Sequence, residues 1–261
     1  MTMTSQITSK QITTQFAHEE IKSTFGYLSG YKGPGAIRNQ IDQLQKIFPQ
    51  LGGANQELIA KIENGKVMLS DIPKRYPDKE DRDLWCLPCW SKVASTYNEA
   101  VVKVFGLLNN ACGDRFHYVM ATGDFILETD RKAQMMSDIQ AQQGADIIIL
   151  ELQFGLRHRG RSIRCAREFM GELEFGLGAY EIGIMLLLSY LLQLNRLNRF
   201  DDHWFNQLWV DAAGDEWRFE VTDNFVYAPF FLLTRGWLEF GVCRVDTADN
   251  QSGSASAFVA Q

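Results

Sequence analysis

The sequence predicts an α+β fold, and three observations carry that prediction. Up to about residue 113 the apolar residues recur at helical spacing. Beyond about residue 114, short β-branched and aromatic runs alternate with Gly, Asp and Asn turns. The 261 residues are 46% hydrophobic and 12% aromatic, enough for a sizeable core. The expected architecture is a helical N-terminal half, a small α/β centre and an antiparallel β-rich C-terminal part. Its expected divisions are a flexible tail over 1–24, a mainly helical region over 25–113, and an α/β region over 114–261 ending in the β-rich segment. The last two are expected to form one compact unit, because no linker separates them.

Residues 1–24 are rich in Ser, Thr and Gln and show no clean period. Ile37, Ile41, Leu44 and Phe48 repeat on one helix face, and Pro49 stops that helix. Asn55 can cap a second helix through Leu58, Ile59 and Ile62, ended by Gly65. Lys74 to Asp83 is charged, contains Pro77 and reads as a loop. Val93, Ala94, Tyr97, Ala100, Val101, Val104, Phe105 and Leu108 line the clearest amphipathic helix.

Phe116 to Met120 reads as a short strand, Thr129 to Gln142 as a weakly amphipathic helix, and Ala145 to Leu152 as a buried strand. A basic loop follows, and then a helix that Ser162 can cap. Ile182 to Leu194 is apolar nearly all round, too short to span a bilayer comfortably, and reads as a buried helix. Leu208–Val210, Trp217–Val221, Phe230–Leu233 and Trp237–Val242 are strand candidates joined by turns. Asn250 to Ser254 reads as a loop.

Charge supplies the functional lead. The segment Arg157-His158-Arg159-Gly160-Arg161-Ser162-Ile163-Arg164-Cys165-Ala166-Arg167 holds five arginines in a chain of net charge -6. The sequence pI near 5.3 excludes a general nucleic-acid footprint, so polyanion binding would have to be local. Arg157, His158, Arg159, Arg161, Ser162 and Arg164 are the candidate ligand-binding residues, because guanidinium groups offer paired donors to phosphate or carboxylate oxygens. The letters match neither G-x-x-x-x-G-K-[ST] nor G-x-G-x-x-G, so no nucleotide fingerprint is present. The competing reading is a salt-bridge network, with Arg164, Glu168 and Glu172 at successive i, i+4 steps.

Three other constellations bear on chemistry. Asp211, Asp215 and Glu216 are candidate ligands for Mg²⁺ or Mn²⁺, although Gly214-Asp215 is also ordinary turn sequence. Glu151 and Gln153 share one strand face and, with Asp124 or Asp146, faintly resemble the Asp…Glu-x-Lys core of restriction-type nucleases, Gln153 standing where the lysine would be. Trp85-Cys86-Leu87-Pro88-Cys89-Trp90 resembles in its letters the Trp-Cys-Gly-Pro-Cys site of the thioredoxin family. The charged segment Lys79–Asp83 does not read as that family's buried strand, and no proline lies between Pro88 and Pro229 to serve as its cis-proline. Exchange chemistry is therefore not expected, and the cysteines read as half-buried helix-start residues. Zinc held with Cys112 and His117 is not expected either.

The five cysteines, odd in number and sparse, point to a reducing cytoplasm, and the first residues hold no apolar core of the secretory kind. The leading expectation is a cytoplasmic protein, with no membrane partner, that binds a phosphate-bearing ligand, nucleic acid being one candidate. A metal-dependent hydrolase or nuclease is the second reading. A non-catalytic structural or assembly protein, whose arginines bind its own or a partner's carboxylates, is the third.

Overall fold

The Ile- and Leu-rich run near residue 147 has no polar face, so it must be covered on both sides. In the computed structural model it becomes the spine of a ten-stranded mixed sheet. The structure describes residues 15–26, 33–65, 82–118, 125–191, 208–219, 226–234 and 237–259. The described chain enters as an extended strap over 15–26 with one 3-10 turn at Ala17–Glu19. Helices α1 (Ile37–Ile47) and α2 (Gln56–Glu63) follow, with the Asn55 side chain accepting from Leu58 N at the start of α2.

After strand β1 (Asp83–Pro88) comes helix α3 (Tyr97–Cys112). It opens on a reciprocal cap, Thr96 Oγ1 accepting from Glu99 N and Glu99 from Thr96 N. Strands β2 (Phe116–Tyr118) and β3 (Phe125–Glu128) lead to helix α4 (Asp130–Gln143), which Thr129 caps. Strand β4 (Ile147–Arg159), helix α5 (Ile163–Phe169), strand β5 (Glu174–Gly176) and helix α6 (Ala179–Leu191) form the centre. Strands β6 (Leu208–Asp211), β7 (Asp215–Arg218), β8 (Tyr227–Thr234), β9 (Trp237–Arg244) and β10 (Ser252–Phe258) close the described chain.

The sheet runs β1-β4-β10-β6-β8-β7-β3, with β9 joining β8 to β2 and β5 joining β10. Most pairs are antiparallel, while β10–β6 and β2–β9 are parallel. One edge of β10 is shared: β6 pairs its first residues and β5 its last. Helices α3 and α6 pack on each other, and α6 also meets β1 and β8. One apolar cluster extends from Phe25 to Ala257 and includes the buried faces of α3 and α6. A smaller one joins Ile163, Ala166 and Met170 of the α5 region to Ala213, Ala228 and Val245. Among the described residues no helix is long and apolar enough to cross a membrane.

The mixed α+β class holds, with several local corrections. The mainly helical first region contains β1, which begins at Asp83, the last residue of the segment that reads as a loop. Its pairing with β4 buries Cys86 in a strand, away from any helix start. The segment Arg157–Arg159 is the end of β4 and not a loop, and Asn250–Ser254 leads into a central strand. Strands β3 and β5 lie where no strand is expected from sequence. Within the segment expected to be a tail, residues 15–24 belong to the strap, which bonds to Gly160, Ser162 and Asn250.

The β4–β10 ladder shifts register between Ser254 and Ser256, and Gln153 fills the gap. Its Oε1 accepts from Gly155 N at 2.5 Å and Arg157 N at 3.4 Å. Its Nε2 donates to Ser254 O at 3.0 Å and Ser256 Oγ at 2.9 Å. The irregular backbone is thus satisfied internally. Gly155 sits there at φ 112, where a Cβ would fall against the Gly253 carbonyl. Gly155→Ala is therefore expected to lower stability by about 2–4 kcal/mol in urea titrations. An unchanged midpoint would show that this bulge is not tightly packed.

Candidate functional site: the arginine cluster and its carboxylates

Strand β4 delivers Arg157, His158 and Arg159 to the sheet end, Gly160 turns the chain, and Ser162 starts α5 by accepting from Cys165 N. The structure therefore brings the six candidate residues into one neighbourhood. Each of their charged side chains finds a partner within the chain. Arg157 Nε donates to Glu174 Oε2 at 3.0 Å, and His158 Nε2 meets Glu174 Oε1 at 2.7 Å. Arg161 Nε donates to Glu20 Oε2 at 3.0 Å, while its Nη1 lies 3.1 Å from His158 Nδ1. A guanidinium can only donate, so His158 Nδ1 accepts and Nε2 carries the proton toward Glu174.

Arg164 grips Glu19 through Nε, 2.9 Å from each carboxylate oxygen, and through Nη2. Ser162 Oγ donates to the same carboxylate. Arg159 Nη1 donates to Phe25 O at 3.3 Å. Arg167 donates to Ala213 O and Asp215 O and lies 3.7 Å from Glu216. Aromatic rings cover two guanidinium groups, Phe169 3.5 Å from Arg161 and Phe16 4.2 Å from Arg164.

The electrostatics follow this pairing. Arg164 hydrogen bonding holds the Glu19 carboxyl below its ordinary range, against its partial burial. Burial alone would raise the Glu174 carboxyl. His158, Arg157 and the Ser256 hydroxyl, which donates at 2.7 Å, outweigh that and bring it down to about 2. The salt-bridge expectation placed Glu168 and Glu172 beside Arg164. The observed partners are instead Glu19, Glu20 and Glu174, brought in by the strap and β5.

The candidate metal ligands do not converge. Asp215 is fully buried and belongs to a different centre. Lys132 Nζ lies 2.6 Å from Tyr97 Oη, 2.7 Å from Glu181 Oε2 and 3.0 Å from Asp215 Oδ1. Its three protons are thereby used, and Glu128 stands at 3.4 Å as a further ion-pair partner. The Tyr97 hydroxyl and Ala179 N donate to Asp215. Burial would lower the ammonium pKa, but Asp215, Glu181 and Glu128 raise it above its ordinary value. Burial also raises the carboxyls of Asp215 and Glu128, with Lys132 opposing. This saturated ammonium is built to hold α4, α6 and β7 together and offers no nucleophile.

Glu216, next along β7, turns away from that centre toward Arg167. It lines a cleft of about 940 Å³ with Tyr97, Glu128 and Asp130. Asp211 lies apart beside Cys243, whose Sγ donates to Oδ1 at 3.9 Å. Among the described residues no three His, Cys, Asp or Glu side chains are arranged to hold a metal ion. Glu151 faces Arg82 at 3.6 Å, Gln153 is spent on the bulge, and Asp124 lies outside the described residues.

Cys86 and Cys89 are buried, where sequence suggests half-buried helix-start residues. A strand does hold Cys86, yet burial raises its thiol pKa far above the ordinary value and pushes Cys89 up to about 12. No protein-family model, curated protein or solved structure matches the chain.

Burial raises Asp211 to about 7, against the Ser252, Trp209 and Cys243 hydrogen bonds. The folded state thus holds a proton that the unfolded chain has released above about pH 4. Its contribution to stability is full below pH 4 and is lost as pH rises through about 7. Asp211→Asn, which cannot ionise, should lose stability less steeply than the wild type between pH 4 and 7 and run parallel to it above. Parallel curves across the whole range, from urea titrations, would contradict this assignment.

Proposed function

We propose that the protein is a non-catalytic structural or assembly protein whose arginine cluster serves as a receptor for carboxylates. The observation that carries this reading is the pairing of Arg157, Arg161 and Arg164 with Glu174, Glu20 and Glu19. Donor geometry favours it as well. Arg164 takes one carboxylate through two nitrogens while Ser162 adds a hydroxyl proton. Binding of a phosphate-bearing ligand would require the same guanidinium groups to release these partners first. Metal-dependent hydrolysis would require Asp215 and Glu216 to leave Lys132 and Arg167.

The test is fluorescence anisotropy of a labelled oligonucleotide across a salt series, with thermal melts. The comparison is wild type against a variant with Arg157, Arg159 and Arg161 replaced by Ala. The reading predicts no salt-dependent binding by the wild type and a lowered melting temperature for the variant, whose carboxylates lose their partners. A log-log salt slope of about -3, lost in a variant that melts like the wild type, would sink it in favour of a polyanion site.

A further inference from the structure

The strap meets the arginine cluster in the manner of a ligand. Its backbone forms a bridge at Glu20 and Arg161, with Ile21 N donating to Gly160 O at 2.8 Å and Ser162 N donating to Glu19 O at 3.0 Å. Two successive carboxylates then part company, Glu19 to Arg164 and Ser162, Glu20 to Arg161. Farther along, Thr24 N and Phe25 N donate to Asn250 O. Gly160, at φ 71, leaves room for this approach, since a Cβ there would strike Ile21 O. The site thus reads an extended backbone and a pair of acidic side chains together.

The strap has little apolar anchorage. Between Phe16 and Phe25 only Glu19 and Phe25 are buried, and Ile21 is 44% exposed. Apart from Phe25 in the main core and the Phe16 ring over Arg164, its hold on the body rests on hydrogen bonds and ion pairs, which a segment of the same chemistry could replace. Beneath it Arg161 and Ser162 are close to fully covered, the Arg161 side chain being 4% exposed, whereas that of Arg164 is 36% exposed. Lifting the strap would leave Arg161 and Ser162 without carboxylate partners, a cost that another acidic segment would remove.

We propose that the His158–Arg164 turn is a docking site for an extended acidic peptide segment of a partner protein, and that the chain's own strap occupies it as an exchangeable internal ligand. This rests on the carboxylate-receptor reading above. Glu19 and Glu20 set the pattern that the partner segment must match, two adjacent carboxylates where a 3-10 turn passes into extended backbone. In the strapped state the site is closed, so apparent affinity for a partner is reduced by the fraction of molecules in which the strap is lifted.

The experiment uses the full chain and a fluorescein-labelled peptide with the sequence of residues 15–26. Wild type is compared with the Glu19→Gln/Glu20→Gln variant by anisotropy, with circular-dichroism melts of both. The variant should bind the peptide at least about tenfold more tightly than the wild type. A peptide carrying Gln at both positions should lose that gain, as should Arg161→Ala placed in the variant. A folded variant that binds the acidic peptide no better than wild type overturns the proposal. Equal binding of acidic and Gln peptides also overturns it, as does preference for an oligonucleotide or inorganic phosphate over the peptide. If the double variant does not fold, Glu20→Gln alone takes its place. A chain that folds in neither form has a strap that cannot exchange, which overturns the proposal too. Salt-dependent oligonucleotide binding by the wild type would mark failure of the receptor reading itself, whereas failure of strap exchange leaves that result untouched.

Discussion

Charge taken out of water must meet opposite charge, and that constraint governs the region where β4, β5, α5 and the strap converge. Arg161 and Glu174 have side chains that are 4% and 1% exposed. A carboxylate buried to that extent without a partner costs several kcal/mol. Glu174 meets Arg157, His158 and Ser256, so β5 is held beside β10 by charge as well as by its ladder. Arg161 and Arg164 draw in the strap, and Arg167 fixes the turn between β6 and β7. The positive island is thus a joint between elements far apart in sequence.

A second joint follows the same rule with the signs reversed. Around Lys132 three carboxylates share one ammonium, and burial keeps the Asp215 and Glu128 carboxyls raised. The two joints meet at β7. Asp215 reaches into the lysine centre through its side chain and offers its backbone carbonyl to Arg167. Two of the three residues that sequence suggests as metal ligands, Asp215 and Glu216, are therefore part of these internal charge networks.

Local signals were legible where local physics decides. Asn55 and Ser162 cap helices as their sequence context indicates, because a short polar side chain beside an apolar run has few better partners, and Thr96 and Thr129 cap two more. Helix α6, apolar all round, is buried as its composition requires. Strand β10 was not legible. Asn250 to Ser254 looks like a loop, yet Ser252–Ser254 lie inside the sheet between β4 and β6, where a Cβ at Gly253 would strike the Gly155 carbonyl. The arginines at the end of β4 resemble a loop for the same reason of missing context. Just beyond the strand, Arg161 and Arg164 have partners, Glu20 and Glu19, that lie about 140 residues away, outside any spacing rule. The candidate arginine site was legible as a place, whereas its occupants depend on tertiary structure.

A double-mutant cycle on Arg157 and Glu174 tests most directly whether the arginine cluster is bound to the protein's own carboxylates. Urea titrations of the wild type, Arg157→Met, Glu174→Gln and the double variant supply the four stabilities. The account predicts that each single change destabilises and that the double variant loses less than their sum, with a coupling of about 1 kcal/mol or more. Strict additivity would contradict it, since the two side chains would then contribute independently.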